Sequence, residues 1–317
     1  SETNGTLTLN NNDVETVFTE TPLIEDATFD TLTIASSSNF VVPTSTTLSY
    51  TTLDIGNGGI LTERGTINFP SSFTVDAGGE VRLDRARSFT NLTVNGTVSH
   101  SANTTTQEYI LNIDVANDLT INSGGSIDVS EQGYLGGQAE GQNGSGPGGG
   151  AGITNDPGAG AAYGGDGGDS SQGNAGGTAY GSTTNPVQLG SGGGASDFNG
   201  IGGAGGGLAL LTVTGTTTID GSIISNGEIG AVVTNNGAGG GSGGGINLTT
   251  GGLEGTGTVT ANGGAGGNDN EQGGGGGGGR IAIDYTTGST DGLTLQAFGG
   301  TASGLAESAA AGTNFTK

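Results

Sequence analysis

The sequence predicts an all-β fold: a right-handed parallel β-helix (β-solenoid) with glycine-rich extended segments packed at one corner. Three observations carry this expectation. Apolar-x-apolar triplets recur roughly every 20 residues, as Leu32-Thr-Ile34, Leu53-Asp-Ile55, Phe73-Thr-Val75, Leu92-Thr-Val94 and Leu119-Thr-Ile121. A longer unit follows, in which Gly227, Gly263 and Gly299 stand 36 residues apart and Leu210 and Ile246 share that spacing. Glycine runs at 202–207, 237–245 and 273–279 recur with this unit, and the 72 glycines of the 317 residues show no Gly-X-Y period, so a collagen reading fails. A fixed period of this size marks a solenoid, in which each repeat buries its apolar face only against its neighbours.

Residues 1–30 are rich in Thr, Asn and Glu and fall outside the period. They read as an N-terminal cap or strand-exchange segment, with short strands expected at Gly5-Thr-Leu-Thr-Leu9 and at 14–18. Residues 31–130 form coils of about 20 residues. In each triplet, strand alternation turns two apolar side chains inward and one outward. The outward residue is Thr33, Asp54, Thr74, Thr93 and Thr120 in turn. Turns such as Gly56-Asn-Gly-Gly59 and Asp76-Ala-Gly-Gly79 supply the corners, and a second short strand follows. Residues 131–207 form a glycine-rich insertion, with Tyr134, Tyr163, Tyr180, Leu189, Phe198 and Ile201 as isolated anchors. A layer of polyproline-II-like glycine strands suits it better than a loose flap, because glycine lets backbones approach closely. Residues 208–303 carry the 36-residue units, and 304–317 form a C-terminal cap or linker. The best helix candidate, 305–311, is short.

Composition excludes several function classes. Thirty acidic against six basic residues give a net charge of −24. No surface to neutralise phosphates is expected, which disfavours nucleic acid and anionic lipid as partners. No apolar run reaches 18 residues, so no membrane insertion is expected. Cys, Met and Trp are absent. No disulfide framework is possible, and the lack of Met fits a chain whose initiator has been removed.

Several residues are candidates for chemistry. Gly164-Gly-Asp-Gly-Gly-Asp169 has the spacing of a Ca²⁺-binding nonapeptide, which makes Asp166 and Asp169 candidate calcium ligands, although Ser171 fills its apolar place. Asn268-Asp-Asn-Glu271 is a second acidic insertion. Calcium is the one cofactor these suggest. The basic cluster Arg82-Leu-Asp-Arg-Ala-Arg87 reads as a turn salt-bridged with Glu80 and Asp84, or as an anion or sugar contact. His100, the single histidine, reads as a surface residue. A lone histidine cannot build a triad or a His-based metal site, so no catalytic residue is assigned. Asn-x-Ser/Thr sequons occur at Asn4, Asn91, Asn95, Asn103, Asn143, Asn247 and Asn314.

A family resemblance rests on particular stretches. Leu119-Thr-Ile-Asn-Ser-Gly-Gly-Ser-Ile-Asp-Val129, Gly133-Tyr-Leu-Gly-Gly137, Ala179-Tyr-Gly-Ser182, Gly190-Ser-Gly-Gly-Gly194 and the run 273–279 leading into Arg-Ile-Ala-Ile283 are its carriers. Together they resemble glycine-rich β-helical modules of very large bacterial and archaeal surface proteins, distant relatives of pectin-lyase-like and haemagglutinin-like β-helices. The resemblance spans residues 31–303. It implies an extracellular or cell-surface location and a role in adhesion or as a structural spacer.

The expected function is a non-enzymatic, exported structural or adhesive module, a segment of a surface protein or the subunit of an extracellular filament. Its partners would be further copies, neighbouring modules of the same protein, or glycans. Thr6, Leu7, Leu9, Val14 and Phe18 are the candidate assembly residues, adding a strand to the next subunit. The alternatives are a carbohydrate-binding or polysaccharide-degrading β-helix, and a phage receptor-binding tip.

Overall fold

The computed structural model describes residues 5–11, 20–197, 200–233 and 236–317. Val14 and Phe18 therefore lie outside the described residues. The fold is all-β, with no helix among the described residues, including 305–311. The strands pair in parallel throughout their ladders.

Parallel pairing requires a long connection between paired strands. Here another strand serves as that connection. The chain passes from Ser72–Val75 to Glu80–Leu83, then Asn91–Val94, Thr97–Ser99, Leu119–Ile121 and Ser126–Asp128. The first, third and fifth of these stack in one nine-stranded sheet, and the others stack in a second. Strands Leu208–Ile219, Gly245–Glu254 and Arg280–Gly288 extend the first sheet; Ser222–Ile224, Thr258–Thr260 and Thr294–Gln296 extend the second. A four-stranded sheet begins the stack, with Thr6–Asn10 on Ala27–Ala35, then Thr47–Ile55 and Thr66–Ile67. This arrangement is compatible with a β-helix or solenoid.

The triplets sit in register. Leu32 and Ile34 pair with Leu53 and Ile55, and Leu92 and Val94 lie between Phe73/Val75 and Leu119/Ile121. Leu32, Ile34, Leu92, Val94, Leu119 and Ile121 are buried while Thr33, Thr93 and Thr120 between them are only partly covered. Burying one such Leu or Ile contributes roughly 1.5–3 kcal/mol relative to exposure. At the corner, Gly78 has φ +84°, which L side chains rarely adopt, and a Cβ on Gly79 would overlap Ile55 of the preceding pass.

The longer unit departs from a uniform 36. Leu210 pairs with Asn247, and Ile246 pairs with Ala209, a spacing of 37. A register shift between Val213 and Thr216 absorbs the extra residue, so Thr216 meets Gly252 at 36. The next pairing, Ile246 with Ile281, is 35. The sequence spacing is thus an average over strands and turns of differing length.

The glycine runs form a bundle of a different kind. Along residues 237–244 the acceptor of each N–H rotates with a period of three. Gly237, Gly240 and Gly243 donate to Glu271, Gly274 and Gly277. Ala238, Gly241 and Gly244 donate to Ala231, Glu228 and Ser225; Gly239 and Ser242 donate to Gly194 and Ser191. The carbonyls follow suit: Gly237 and Gly240 accept from Gly158 and Ala161, Gly239 and Ser242 from Gly203 and Gly206, and Ala238 and Gly241 from Gly267 and Gly264. Three residues per turn with no internal hydrogen bond is the polyproline-II repeat. Residues 131–197 and 200–207 belong to this bundle through many such bonds, so they are not a flap. Gly239–Gly243 and Gly274–Gly277 lie side by side.

Aromatic side chains tie the bundle to the sheet. Tyr163 is fully buried and packs 4.9 Å from Tyr180, centroid to centroid. Arg280, at the start of its strand, donates to the carbonyls of Tyr180 and Tyr163 and lies 5.5 Å over the Tyr163 ring. Burial pushes the Tyr163 phenol up to about 12, so it stays neutral.

Candidate functional site

The basic cluster resolves into separate pairs. Arg82 Nε donates to Glu80 at 2.7 Å. Arg87 turns inward and pairs with Glu63, whose side chain is fully buried and also accepts the Ile67 N–H. The Phe69 ring lies 5.6 Å from the Arg87 guanidinium, and burial holds that guanidinium below its usual range. Asp84 pairs with Arg64 from the preceding pass and not with its own turn, which corrects the single salt-bridged turn expected from sequence. Pairing runs between stacked passes because residues about 20 apart are neighbours across the ladder.

These pairs leave a cleft of about 450 Å³ lined by Thr44, Arg64, Thr66, Asp84, Arg85, Glu108 and Tyr109. Arg64 makes a two-toothed pair with Glu20, which raises its pKa, and sits 5.9 Å from the Tyr109 ring. Burial raises the Asp84 carboxyl, and the Ser101 N–H at 2.7 Å and Arg64 offset this only in part. Arg85 differs from the others. It is exposed, Nη1 donates to the Gly65 carbonyl at 2.6 Å and to Thr66 Oγ1 at 3.3 Å, and no carboxylate among the described residues pairs with it.

The second candidate surface is the pair of stack ends. Thr6–Asn10 pairs on one side only, with Ala27–Ala35, and Thr313–Thr316 pairs on one side only, with Arg280–Gly288, among the described residues. Leu7 and Leu9 pack against the core, while Thr6 and Thr8 are exposed. The hydrogen bonds fix which groups face outward. Asp30 N donates to the Gly5 carbonyl, and Asn11 N donates to the Ser36 carbonyl. Backbone groups alternate sides along a strand, so the N–H groups of Thr6 and Thr8 point to the open edge. At the other end, Thr313 N donates to Gly279 and Lys317 N to Ile283, which leaves Asn314 and Thr316 outward.

The remaining sequence candidates are placed as follows. Asp166 Oδ1 accepts the Ala179 N–H at 2.6 Å, and Asp169 Oδ1 accepts the Gly176 N–H at 2.8 Å. Both carboxylates thus bind backbone within the glycine bundle. No group of three or more His, Asp or Glu able to hold a metal occurs among the described residues. His100 is not a surface residue: it is fully buried. Its Nδ1 lies 2.8 Å from the Ser101 carbonyl and its Nε2 accepts the Leu208 N–H at 3.3 Å, the arrangement of a neutral ring. The insertion folds back over the core, and Gly207 has no Cβ to oppose the imidazole. Asn103 is likewise buried and accepts from Glu108 and Tyr109, so that sequon cannot carry a glycan in this fold.

No family model, curated protein or solved structure matches the chain. Its functional reading therefore rests on geometry. The stacked pairs Arg64–Asp84 and Arg87–Glu63 were not legible locally, since they join residues 20 and 24 apart, about one turn of the period. The one available signal was the spacing of about 20 between Arg64 and Asp84.

Proposed function

We propose that the chain is a right-handed parallel β-helix that acts as a non-enzymatic structural and adhesive module of an extracellular or cell-surface assembly. It joins neighbouring copies or neighbouring modules by strand addition at the ends of its stack. The observation that carries this reading is that the terminal strands of the stack, residues 6–9 at one end and Thr313–Thr316 at the other, pair on one side only among the described residues. Unpaired edges template further pairing, and proteins usually blunt them. The neighbouring edge Glu20–Pro22 is blunted in that way, because Pro22 has no N–H. Residues 6–9, Thr-Leu-Thr-Leu, contain neither proline nor a charged side chain. Joining unlike ends by a repeated translation does not close, so the product is a filament.

The test uses proline at an outward position. Thr8→Pro deletes an N–H that faces the open edge and leaves the ladder to Ala27–Ala35 intact. Thr316→Pro does the same at the other end. Each variant is expected to keep the parent circular dichroism spectrum and melting temperature and to remain monomeric by light scattering and electron microscopy, while the parent chain polymerises. Filaments of unchanged length in both variants would reject assembly through these edges.

A further inference from the structure

We propose that the cleft between Arg64, Arg85 and Tyr109 is a binding subsite for an acidic saccharide, with Arg85 receiving the sugar's carboxylate. The argument starts from charge. Acidic residues outnumber basic ones 30 to 6, so an exposed guanidinium in this chain should find a carboxylate. Even the part-buried Arg64, Arg82 and Arg87 each do. Arg85 does not among the described residues, although it is held in place: Nη1 is fixed by Gly65 and Thr66. The other edge of the fork, Nε and Nη2, makes no hydrogen bond among the described residues. A planar fork with one edge anchored and the other open is preorganised for a two-toothed carboxylate.

The surroundings select for a sugar. Tyr109 offers a half-buried ring for the apolar face of a pyranose, and its hydroxyl is a polar handle. Thr44, Thr66 and Glu108 present donors and acceptors suited to sugar hydroxyls. The volume of about 450 Å³ falls in the range of small-ligand sites and holds one or two sugar rings. The nearby acids do not cancel Arg85. Arg64 lies between Glu20 and Asp84 and pairs with both, and Glu108 is exposed to water. Acids elsewhere on the chain are screened beyond about 8 Å at physiological salt. The cleft is built from residues away from the Thr6–Asn10 edge, so it works in the monomer and does not depend on assembly.

The test is calorimetric titration of the monomeric Thr8→Pro chain, or of the parent chain if that variant still polymerises. The acidic probes are tetragalacturonate and sialyllactose; their neutral counterparts are galactotetraose and lactose. At least one acidic probe is expected to bind about tenfold more tightly than its neutral counterpart, with the difference shrinking as salt rises. Arg85→Gln should abolish that difference, Arg85→Lys should restore part of it, and Arg82→Gln, in the neighbouring groove with Glu80, should leave it unchanged. Binding by one acidic probe and not the other identifies which carboxylated ring fits. No binding of either acidic probe at millimolar concentration would overturn the proposal. So would equal binding of the neutral sugars, or an undiminished preference in Arg85→Gln.

Discussion

Gly243→Val is expected to lower the melting temperature by roughly 3–5 °C, a loss of about 2–3 kcal/mol of the kind that overpacking produces. A Cβ at this position would overlap the Ala261 carbonyl and press on Gly279 N. The overlap is with backbone on two neighbouring segments, so no side chain can rotate away. The site also lies where Gly243 N donates to Gly277 and Gly279 N donates to Ala261, so a displacement of one segment breaks bonds in several. Thr249→Val, on an exposed strand position, is the control and should change stability by no more than about 0.5 kcal/mol. A linker would tolerate the valine, and an unmoved melt of Gly243→Val would show that these runs are not packed.

Acidification from pH 6.5 to about 4 is expected to cost the fold about 3 kcal/mol through His100 alone. Burial, the dominant cause, lowers its pKa from 6.5 to about 4, and the Ser101 carbonyl offsets this weakly. The unfolded chain therefore binds a proton near pH 6.5 while the folded chain resists it. The contribution is fully present above pH 6.5 and is lost as pH falls toward 4. At about 1.36 kcal/mol per unit, the 2.5-unit difference gives the stated figure. Asp84 and Glu131 have carboxyls raised by burial and act in the opposite sense, since their neutral forms are favoured in the fold. Subtracting the curve of His100→Gln removes their share. Denaturant midpoints that run parallel for the two proteins across this window would contradict a buried neutral imidazole.

The alternation in Leu32-Thr-Ile34 or Leu92-Thr-Val94 declared strand, inward face and neighbour together, because the side-chain period and the repeat period are both written in the residues. Thr33, Thr93 and Thr120 sit between buried neighbours as that pattern requires. The glycine runs declared less. A glycine has no side chain to show which way it faces, so Gly237, Gly240 and Gly243 look identical to Gly239 and Gly241, though each set bonds a different neighbour. Their common register was readable; the three-residue rotation was not. His100 was misread for a related reason. Its flanking Ser99 and Ser101 look solvated, but the group that buries it comes from Gly207 and Leu208, 108 residues along in the latter case. Likewise Arg85 resembled Arg82 and Arg87 in sequence, and only the pairing of passes separated it from them.

The bundle imposes an order on biosynthesis. The sheets can grow one pass at a time, since each strand meets its predecessor as soon as it emerges. The bundle cannot. Gly158 and Ala161 need the carbonyls of Gly237 and Gly240, and Gly164 needs Gly278. A nascent chain that ends before residue 237 therefore holds those amides against water. Contacts between such distant residues slow folding. The glycine segment 131–207 must wait, hydrated and incomplete, for the last glycine run to be synthesised before the centre of the bundle can dry.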